Sequence, residues 1–285
     1  MSKDLICVLG PTASGKTKYA VKLAYETNGE IISADSRQVY KFMDIGTGKD
    51  LDEYNYNGIN IPYHLIDIVE PGSKYNIFQY QIDFHRVLQE INERGKQPIL
   101  CGGSGLYIEA ATRGYSLPKV PPNPALRAEL ELLSNRQLIK KLEQLKPLHN
   151  TTDTDSRKRL IRALEIALYG DTNVQEYLPV PTSFIGISVS REERIKRIDK
   201  RLKERLEGGM IEEVKSLLAR GIPAEDLIYY GLEYKFVTLY ITGELSYNQM
   251  HKLLQTAIHR FAKRQMTWFR RMERQGVKID WREPI

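Results

Sequence analysis

Much of the chain alternates short apolar runs with stretches of helical periodicity. Four runs have the length and continuous hydrophobicity of strands buried on both faces: residues 5–9, 30–34, 97–101 and 184–189. The spacing of apolar side chains predicts helices between the runs, most clearly over residues 16–26 and 77–93. This alternation predicts an α/β fold with a parallel, doubly wound sheet, whose ligands bind at the carboxyl ends of the strands.

The rest of the chain has a different pattern. Residues 117–124 form a proline-rich break, residues 125–169 have the periodicity of helices without strands, and the chain is almost wholly helical from residue 191 onward. We therefore expect a core domain formed by residues 1–115 and 183–285, with helices in its C-terminal region. A helical insertion domain at residues 116–182 interrupts that core.

Composition narrows the class of protein. The 285 residues carry a formal net charge of +6, which is only moderately basic, so the distribution of charge matters more than its total. No apolar run is long enough to span a membrane, and the N-terminus lacks a signal pattern. Cys7 and Cys101 both lie in predicted buried strands. We therefore expect neither a disulfide framework nor a zinc site, and a reduced, cytoplasmic setting.

A glycine-rich motif joins the first predicted strand to the first predicted helix: Gly10-Pro11-Thr12-Ala13-Ser14-Gly15-Lys16-Thr17. In such a loop the backbone N–H groups point inward at an anion, Lys16 reaches the outer phosphate, and the Thr17 hydroxyl ligates Mg²⁺. The strand before the motif and the helix after it are the context that this interpretation requires. The motif therefore predicts a P-loop-type parallel sheet flanked by helices, and a bound polyphosphate.

Two further strand ends carry polar groups. Asp35 follows the second predicted strand, where a carboxylate can be a general base, an outer-shell Mg²⁺ ligand or a helix N-cap. The third strand ends in residues 102–104, two glycines and a serine, where an ATPase would often place a Walker-B aspartate. The glycines would let a flat substrate approach the backbone closely. Asp67 is the only comparable carboxylate, and Pro62 argues against a strand that leads to it. The absence of an obvious water-activating group argues against an NTPase.

Six motifs occur in order over nearly the whole chain: GPTASGKT (10–17), DSRQVY (35–40), DIGTGK (44–49), YHLID (63–67), GGSGLY (102–107) and AKRQMTWFR (262–270). Together they resemble the tRNA dimethylallyltransferase (tRNA isopentenyltransferase) family. The resemblance implies transfer of a dimethylallyl group from dimethylallyl diphosphate to N6 of the adenosine immediately 3′ of the tRNA anticodon. It implies tRNA and dimethylallyl diphosphate as partners and Mg²⁺ as cofactor. We further expect a monomer with no membrane partner.

The resemblance also implies roles for individual residues. Asp35 matches the family's proposed base, while Lys16 and Thr17, with Mg²⁺, would neutralise the leaving diphosphate. Ser104 stands where the family usually has threonine, in contact with the acceptor nucleotide. The positions that match tRNA contacts of the family are Asp35, Ser36, Arg37, Gln38, Ser104, Arg127, Lys158, Arg159, Leu160, Ile161 and Arg162. Lys158 replaces a glutamine of the family pattern.

A row of arginines lies along one face of a predicted helix: Arg194, Arg197, Arg201 and Arg205. Two interpretations remain open for this row, a solvated face paired with neighbouring acids or a set that closes over a diphosphate. The resemblance makes Arg197 and Arg201 candidates for diphosphate binding. The methionine that the family usually has after them is replaced by Arg205.

Alternatives remain for the acceptor and for the C-terminal region. Residues 257–274 contain six Lys or Arg and one acid, with Trp268 and Phe269 interleaved, a composition that suits single-stranded loop RNA. We nevertheless expect both aromatic side chains to be core anchors.

The related adenylate isopentenyltransferases use a free adenylate, which needs neither the basic insertion nor the basic C-terminal region. A P-loop small-molecule kinase or a nucleotide-binding switch is the third hypothesis.

Overall fold

The computed structural model of the chain describes residues 3–115, 117–146, 154, 156–170 and 176–285. The chain divides into two compact units, Met1–Arg113 with Pro179–Ile285, and Gly114–Leu178. The domain boundaries that we predict from the sequence lie a few residues further along the chain at both junctions. Of the predicted insertion, residues 116, 147–153, 155 and 171–175 lie outside the described residues.

A six-stranded parallel sheet forms the centre of the first unit. The described residues contain eight strands, of which six form this sheet. In chain order they are β1 (Leu5–Leu9), β2 (Gly29–Ser33), β3 (Asn55–Tyr56), β4 (Ile59–Asn60), β5 (Tyr63–His64), β6 (Gln97–Gly102), β7 (Thr182–Ile187) and β8 (Ile279–Arg282). The order in the sheet is β5-β2-β6-β1-β7-β8, while β3 and β4 form a separate antiparallel hairpin. Because β1, β2 and β6 are neighbours and parallel, the loops after them lie at one edge.

The helices of the described residues alternate with these strands and then follow them. They are α1 (Lys16–Thr27), α2 (Ile77–Glu93), α3 (Gly105–Thr112), α4 (Pro124–Glu131), α5 (Asn135–Leu145), α6 (Arg157–Tyr169), α7 (Arg191–Glu207), α8 (Met210–Ala219), α9 (Ala224–Tyr229), α10 (Leu232–Ile241) and α11 (Tyr247–Arg274). A short 3-10 helix spans Leu51–Tyr54. Of these, α4, α5 and α6 belong to the second unit.

Helices cover both faces of the sheet. On β1, Leu5, Cys7 and Leu9 belong to the core on one face and Val8 to the core on the other, as the two-residue period of a strand requires. The first core includes side chains from α2, α3 and α7 to α11, and the second is closed by α1. The central strands are largely apolar because both of their faces are buried, although β2 also contains the buried Glu30 and Ser33.

The second unit is a small helical assembly with its own leucine-rich core. Its buried side chains include Leu126 on α4, Leu138 on α5, and Leu160 and Leu164 on α6. Each of the three helices begins after a side chain that caps its first backbone N–H groups. The predicted run of helices without strands is confirmed over the described residues of this unit.

The structure corrects several predicted boundaries. The helix over residues 77–93 is confirmed, whereas β2 lies one residue and β7 two residues before the predicted runs. The two-residue strand β5 forms directly after Pro62, a residue that disfavours a strand, and it lies outside the four predicted runs. β8 was not predicted, because we expected an almost wholly helical chain from residue 191 onward. Both unexpected strands lie at the edges of the sheet, where pairing comes from the neighbouring strand rather than from the local pattern.

Candidate active site

The phosphate loop follows β1 and ends where α1 begins, as the sequence predicts. Gly15, with a φ of 86°, immediately precedes α1. A side chain at Gly10 would overlap the carbonyl oxygen of Ile187, so glycine allows the loop to pack closely against β7. The loop therefore lies at the N-terminus of α1, where unpaired backbone N–H groups and the helix dipole favour an anion.

Lys16 and Thr17 are the first two residues of α1, and both line a pocket of about 300 Å³ at this edge of the sheet. Burial lowers the pKa of Lys16 from its usual value, with Asp35 among the groups that act in the opposite direction. The Lys16 ammonium donates no hydrogen bond to any residue that the structure describes. A desolvated cation without a partner is costly, so a bound anion would stabilise it.

Asp35 and Ser104 line the same pocket from the ends of β2 and β6. Asp35 Oδ1 accepts a hydrogen bond from the Arg37 N–H at 2.9 Å, and Ser104 Oγ accepts one from the Ser36 N–H at 3.4 Å. The segment after Asp35 is a turn and not a helix, so the helix N-cap alternative for Asp35 is wrong. The phosphate loop, the carboxylate and the serine hydroxyl therefore share one pocket.

The glycines at the end of β6 and just after it lie against other parts of the chain. Side chains at Gly102, Gly103 and Gly105 would overlap Ala34, the Gln265 amide and the Trp268 ring, respectively. Other parts of the chain thus approach these glycines closely, and Gly102 also lines the pocket. They let β2 and α11 pack tightly around the loop that carries Ser104.

Gln265 on α11 joins this loop to the phosphate loop. Its Oε1 accepts a hydrogen bond from the Thr12 N–H at 2.8 Å, and its Nε2 donates to the Gly103 carbonyl oxygen at 2.9 Å. The two partners fix the orientation of the amide, because one is a donor and the other an acceptor. Gln265 is buried and was missed at the sequence level as a site residue, although it lies in the motif at 262–270.

A loop at residues 43–49 forms another wall of the pocket. Gln38 Nε2 donates to the Gly48 carbonyl oxygen at 3.0 Å, and Gln38 Oε1 accepts from the Ser33 hydroxyl at 2.9 Å. The Gln38 amide therefore supports this loop. The buried Lys49 ammonium pairs with Asp44 at 2.5 Å and with Asp67. Asp67, which the sequence offered as the only alternative Mg²⁺-ligating carboxylate, is thus engaged in a structural ion pair.

Helix α7 presents its apolar side to the core and two of its arginines to the pocket. Arg201 and Arg205 both line the 300 Å³ pocket. Arg197 instead pairs with Glu193 at 2.7 Å and lines an adjoining pocket of about 540 Å³, which also contains Lys16 and Thr17. Arg197, Arg201 and Arg205 thus each pair with an acidic side chain, and each also lines a pocket beside the phosphate loop.

Further pocket residues come from α10 and α11. Glu233, at the start of α10, has its pKa raised by burial, while the neighbouring Arg205 acts in the opposite direction. Phe261 and Arg264 line the pocket from α11. Tyr229, the last residue of α9, lies under the guanidinium group of Arg37 at 5.5 Å, and its neighbour Tyr230 lines the pocket. No local motif in the sequence marks Glu233 or Phe261, because folding alone brings them to the strand ends.

The comparisons with known proteins agree with this geometry. The IPP transferase family model matches residues 38–272. The chain belongs to the IPP transferase family. A curated protein of Parabacteroides distasonis named tRNA dimethylallyltransferase 1 is 58% identical over 283 residues. The match covers 98% of this chain and 92% of that protein. One of Porphyromonas gingivalis, named tRNA dimethylallyltransferase 2, is 59% identical over 280 residues, with coverages of 97% and 93%.

A solved structure extends the comparison to the fold. The full-length tRNA isopentenylpyrophosphate transferase from Bacillus halodurans is 34% identical, with a TM-score of 0.71. The match covers 98% of this chain and 89% of that one. The family resemblance and the α/β fold with a parallel sheet, both predicted from the sequence, are thus confirmed. Among the described residues of this IPP transferase, no helix is both long and apolar enough to cross a bilayer.

The helical unit of this IPP transferase contains the remaining basic positions. Arg127 and Arg162 both donate to the buried Glu165 carboxylate, at 2.6–2.8 Å and 2.9 Å. Burial alone would raise the pKa of Glu165, but these hydrogen bonds more than offset it and hold the pKa at about 2. Leu160 and Ile161 are buried in the unit's core, so their side chains cannot meet RNA there. Lys158 and Arg159, by contrast, are exposed.

The two aromatic residues of the last motif are core anchors, as expected. Phe269 is fully buried, and Trp268 packs against the core and Gly105. The Arg271 guanidinium lies over the Trp268 ring at 4.0 Å and pairs with the buried Glu109 at 2.6 Å. Neither aromatic ring is therefore available to stack on a nucleotide.

Proposed function

We propose that this enzyme transfers a dimethylallyl group from dimethylallyl diphosphate to N6 of the adenosine immediately 3′ of the tRNA anticodon, with release of diphosphate. Its curated relatives in the family carry the name tRNA dimethylallyltransferase and match nearly its whole length. One observation carries the proposal: a single pocket contains Lys16 and Thr17 of the phosphate loop together with Asp35 and Ser104. A donor diphosphate and an acceptor base can therefore meet there.

The reaction needs a base because the lone pair of the adenine amine is delocalised into the ring. In the proposed step N6 attacks the allylic carbon, and the bond from that carbon to the diphosphate oxygen breaks with its electron pair on the oxygen. The proton of N6 passes to Asp35. The Arg37 N–H orients Asp35 through Oδ1, and Oδ2 accepts no hydrogen bond from the described residues. Lys16 and the loop N–H groups stabilise the charge on the departing diphosphate.

The donor set of the pocket fits Mg²⁺ that is held largely by the substrate. No cluster of three His, Cys, Asp or Glu suited to a metal ion occurs within the described part of the chain. Mg²⁺ usually binds through one or two protein groups together with phosphate oxygens and water. We propose the Thr17 hydroxyl as its protein ligand. Mg²⁺ bound there would supply positive charge at the diphosphate oxygens.

The proposed acceptor is an RNA loop and not a free adenylate. The pocket opens beside Phe261 and Arg264 on α11, a helix with many exposed basic residues. An adenine stacked within the anticodon loop cannot reach Asp35, so the proposal requires that the base is flipped out of the stack. A free nucleotide would need neither this basic helix nor base flipping.

An incubation of the purified protein tests the proposal. It contains labelled dimethylallyl diphosphate, Mg²⁺ and unmodified tRNA, with AMP as a competing acceptor. We expect label on the adenosine next to the anticodon and none on AMP. Label on AMP instead would make the chain an adenylate isopentenyltransferase. Absence of label from both acceptors, together with tight ATP or GTP binding, would support the kinase or switch hypothesis.

Asp35→Asn tests the proposed base. The variant keeps the shape of the side chain and its hydrogen bond from Arg37, but it cannot take the proton. We expect kcat to fall by about 10²- to 10⁴-fold while inorganic diphosphate still binds. Asp52→Asn is the matched control, because Asp52 is exposed on the 3-10 helix. Equal turnover by the two variants would remove Asp35 from the role of base.

A further inference from the structure

Two guanidinium groups of α7 converge on one carboxylate oxygen beside the phosphate loop. Arg201 Nη2 donates to Asp50 Oδ2 at 2.7 Å, and Arg205 Nη2 donates to the same oxygen at 3.4 Å. The side chains of Arg201 and Arg205 are 29% and 15% exposed. Both arginines also line the two adjoining pockets that contain Lys16 and Thr17. Two arginines on one anionic oxygen is the arrangement that a phosphate oxygen also favours.

Gly48 makes this arrangement sterically possible. A side chain at position 48 would overlap Nη2 of both Arg205 and Arg201. Gly48 also has a φ of 65°, a conformation that disfavours other residues. The loop at residues 43–49 therefore leaves room for two cationic groups where any side chain would displace at least one of them.

The charges around the arginines leave an excess of positive charge. Burial lowers the pKa of Arg205, Arg201 lowers it further, and Asp50 and Glu233 act in the opposite direction. Burial also raises the pKa of Glu233, while Arg205 and Arg201 lower it. Asp50 is 43% exposed and is shared between the two arginines. With Lys16 in the same pocket, the group as a whole favours a polyanion over a single carboxylate.

We propose that Arg205 binds the diphosphate of the donor together with Arg201, and that this contact adds to the ones expected from the family pattern. The inference rests on the proposed function, since it takes the bound polyanion to be the diphosphate of the substrate. The family resemblance implies a methionine at position 205, where this chain has an arginine. Arg205 thus gives this chain a second guanidinium group at the leaving group.

Binding of inorganic diphosphate to the full chain, measured by calorimetry, tests the inference without turnover. Arg205→Met substitutes a side chain of similar length that can fill the same buried space. We expect its affinity for diphosphate to fall about tenfold or more, because a charge-assisted hydrogen bond is lost. Lys203→Met is the control on the same helix, since Lys203 is 73% exposed and outside both pockets. Its affinity should match that of the unaltered protein.

Arg205→Lys keeps the inference testable if the methionine variant does not fold. The lysine retains the charge but lacks the planar fork of donors, so we expect affinity between those of the unaltered protein and Arg205→Met. If both folded variants bind diphosphate as tightly as the unaltered protein, the inference is wrong and Arg205 only supports the loop at Gly48.

Turnover separates the inference from the proposed function. In the prenylation assay, Arg205→Met should raise the KM for dimethylallyl diphosphate and leave the KM for tRNA unchanged. If the unaltered protein prenylates tRNA and Arg205→Met does not change the donor KM, only the inference fails. If the unaltered protein binds diphosphate through Arg205 but transfers nothing to tRNA, the proposed function fails and the anion contact stands.

Discussion

A single amide group, that of Gln265, connects the donor and acceptor sides of the pocket. It accepts from the Thr12 N–H in the phosphate loop and donates to the Gly103 carbonyl in the loop that carries Ser104. The separation of the two loops sets the separation of the reacting atoms, and a displacement of about 1 Å can lower a rate by about 10²-fold. We therefore assign Gln265 a positioning role.

Gln265→Glu separates positioning from simple packing. The glutamate can still accept from the Thr12 N–H, but it turns a carboxylate oxygen toward the Gly103 carbonyl oxygen. We expect kcat to fall at least about tenfold, with smaller changes in both KM values. Thr267→Ala is the control, because the exposed Thr267 hydroxyl bonds only to its own helix at Lys263. A rise in both KM values at unchanged kcat would contradict the positioning role.

At the scale of single residues, the sequence predicts the location of a site side chain when that residue follows the end of a strand. Lys16, Asp35 and Ser104 each follow a buried parallel strand, and such strands end at one edge of the sheet. Gln265 could not be found this way. Its bond to Gly103 spans 162 residues, so only the packing of α11 against the sheet creates it.

Among the elements, the loop at residues 43–49 depends most on a partner distant in sequence. The Glu213 carboxylate on α8 accepts from the backbone N–H groups of Asp44, Ile45 and Gly46 at 2.7–3.0 Å, and from the Tyr234 hydroxyl at 2.6 Å. Four donors on one carboxylate hold the loop in one conformation. That conformation sets the position of Gly48 against the two arginines.

Glu213→Gln should loosen this loop. The amide group keeps one acceptor oxygen but turns an NH₂ toward backbone donors, so we expect a loss of about 2–3 kcal/mol in unfolding free energy. We also expect a higher KM for dimethylallyl diphosphate in the prenylation assay. Glu212→Gln is the control, because Glu212 is the preceding residue on the same helix and its side chain is exposed. Its carboxylate lies 3.9 Å from the Lys215 ammonium. Equal stability and KM in both variants would show that Glu213 does not determine the loop conformation.

The elements also differ in how accurately the sequence predicts them. The helix α2 was predicted to the residue from its apolar stripe, which is a local signal, and its capping box at Asn76 is a second local signal. The edge strand β8 has only four residues, and its hydrogen bonds go to β7, almost a hundred residues earlier in the chain. Its local sequence carries little signal, since its pairing is a tertiary contact.

Across the whole molecule, the distribution of charge says more than the net charge of +6. The exposed side of α11 carries a basic stripe that consists of Arg260, Lys263, Arg264, Arg270 and Arg274. None of these side chains forms an ion pair with a residue in the described part of the chain. Because Arg264 also lines the pocket, the stripe extends from the proposed reaction site along the helix. This continuity favours phosphates of an RNA strand as its partners.

The salt dependence of tRNA binding tests the basic stripe. Each phosphate contact to RNA contributes about 0.7–0.9 to the slope of log affinity against log salt, because a counterion is released. The double variant Lys263→Gln/Arg270→Gln should therefore bind tRNA more weakly and reduce the slope by about 1.4–1.8. Affinity for inorganic diphosphate should stay unchanged, since neither residue lines the pocket. Lys203→Gln/Lys215→Gln removes the same charge from other helices, where both lysines are exposed and lie beside glutamates. If that control lowers the slope as much, the effect belongs to net charge, and the stripe is not the RNA contact.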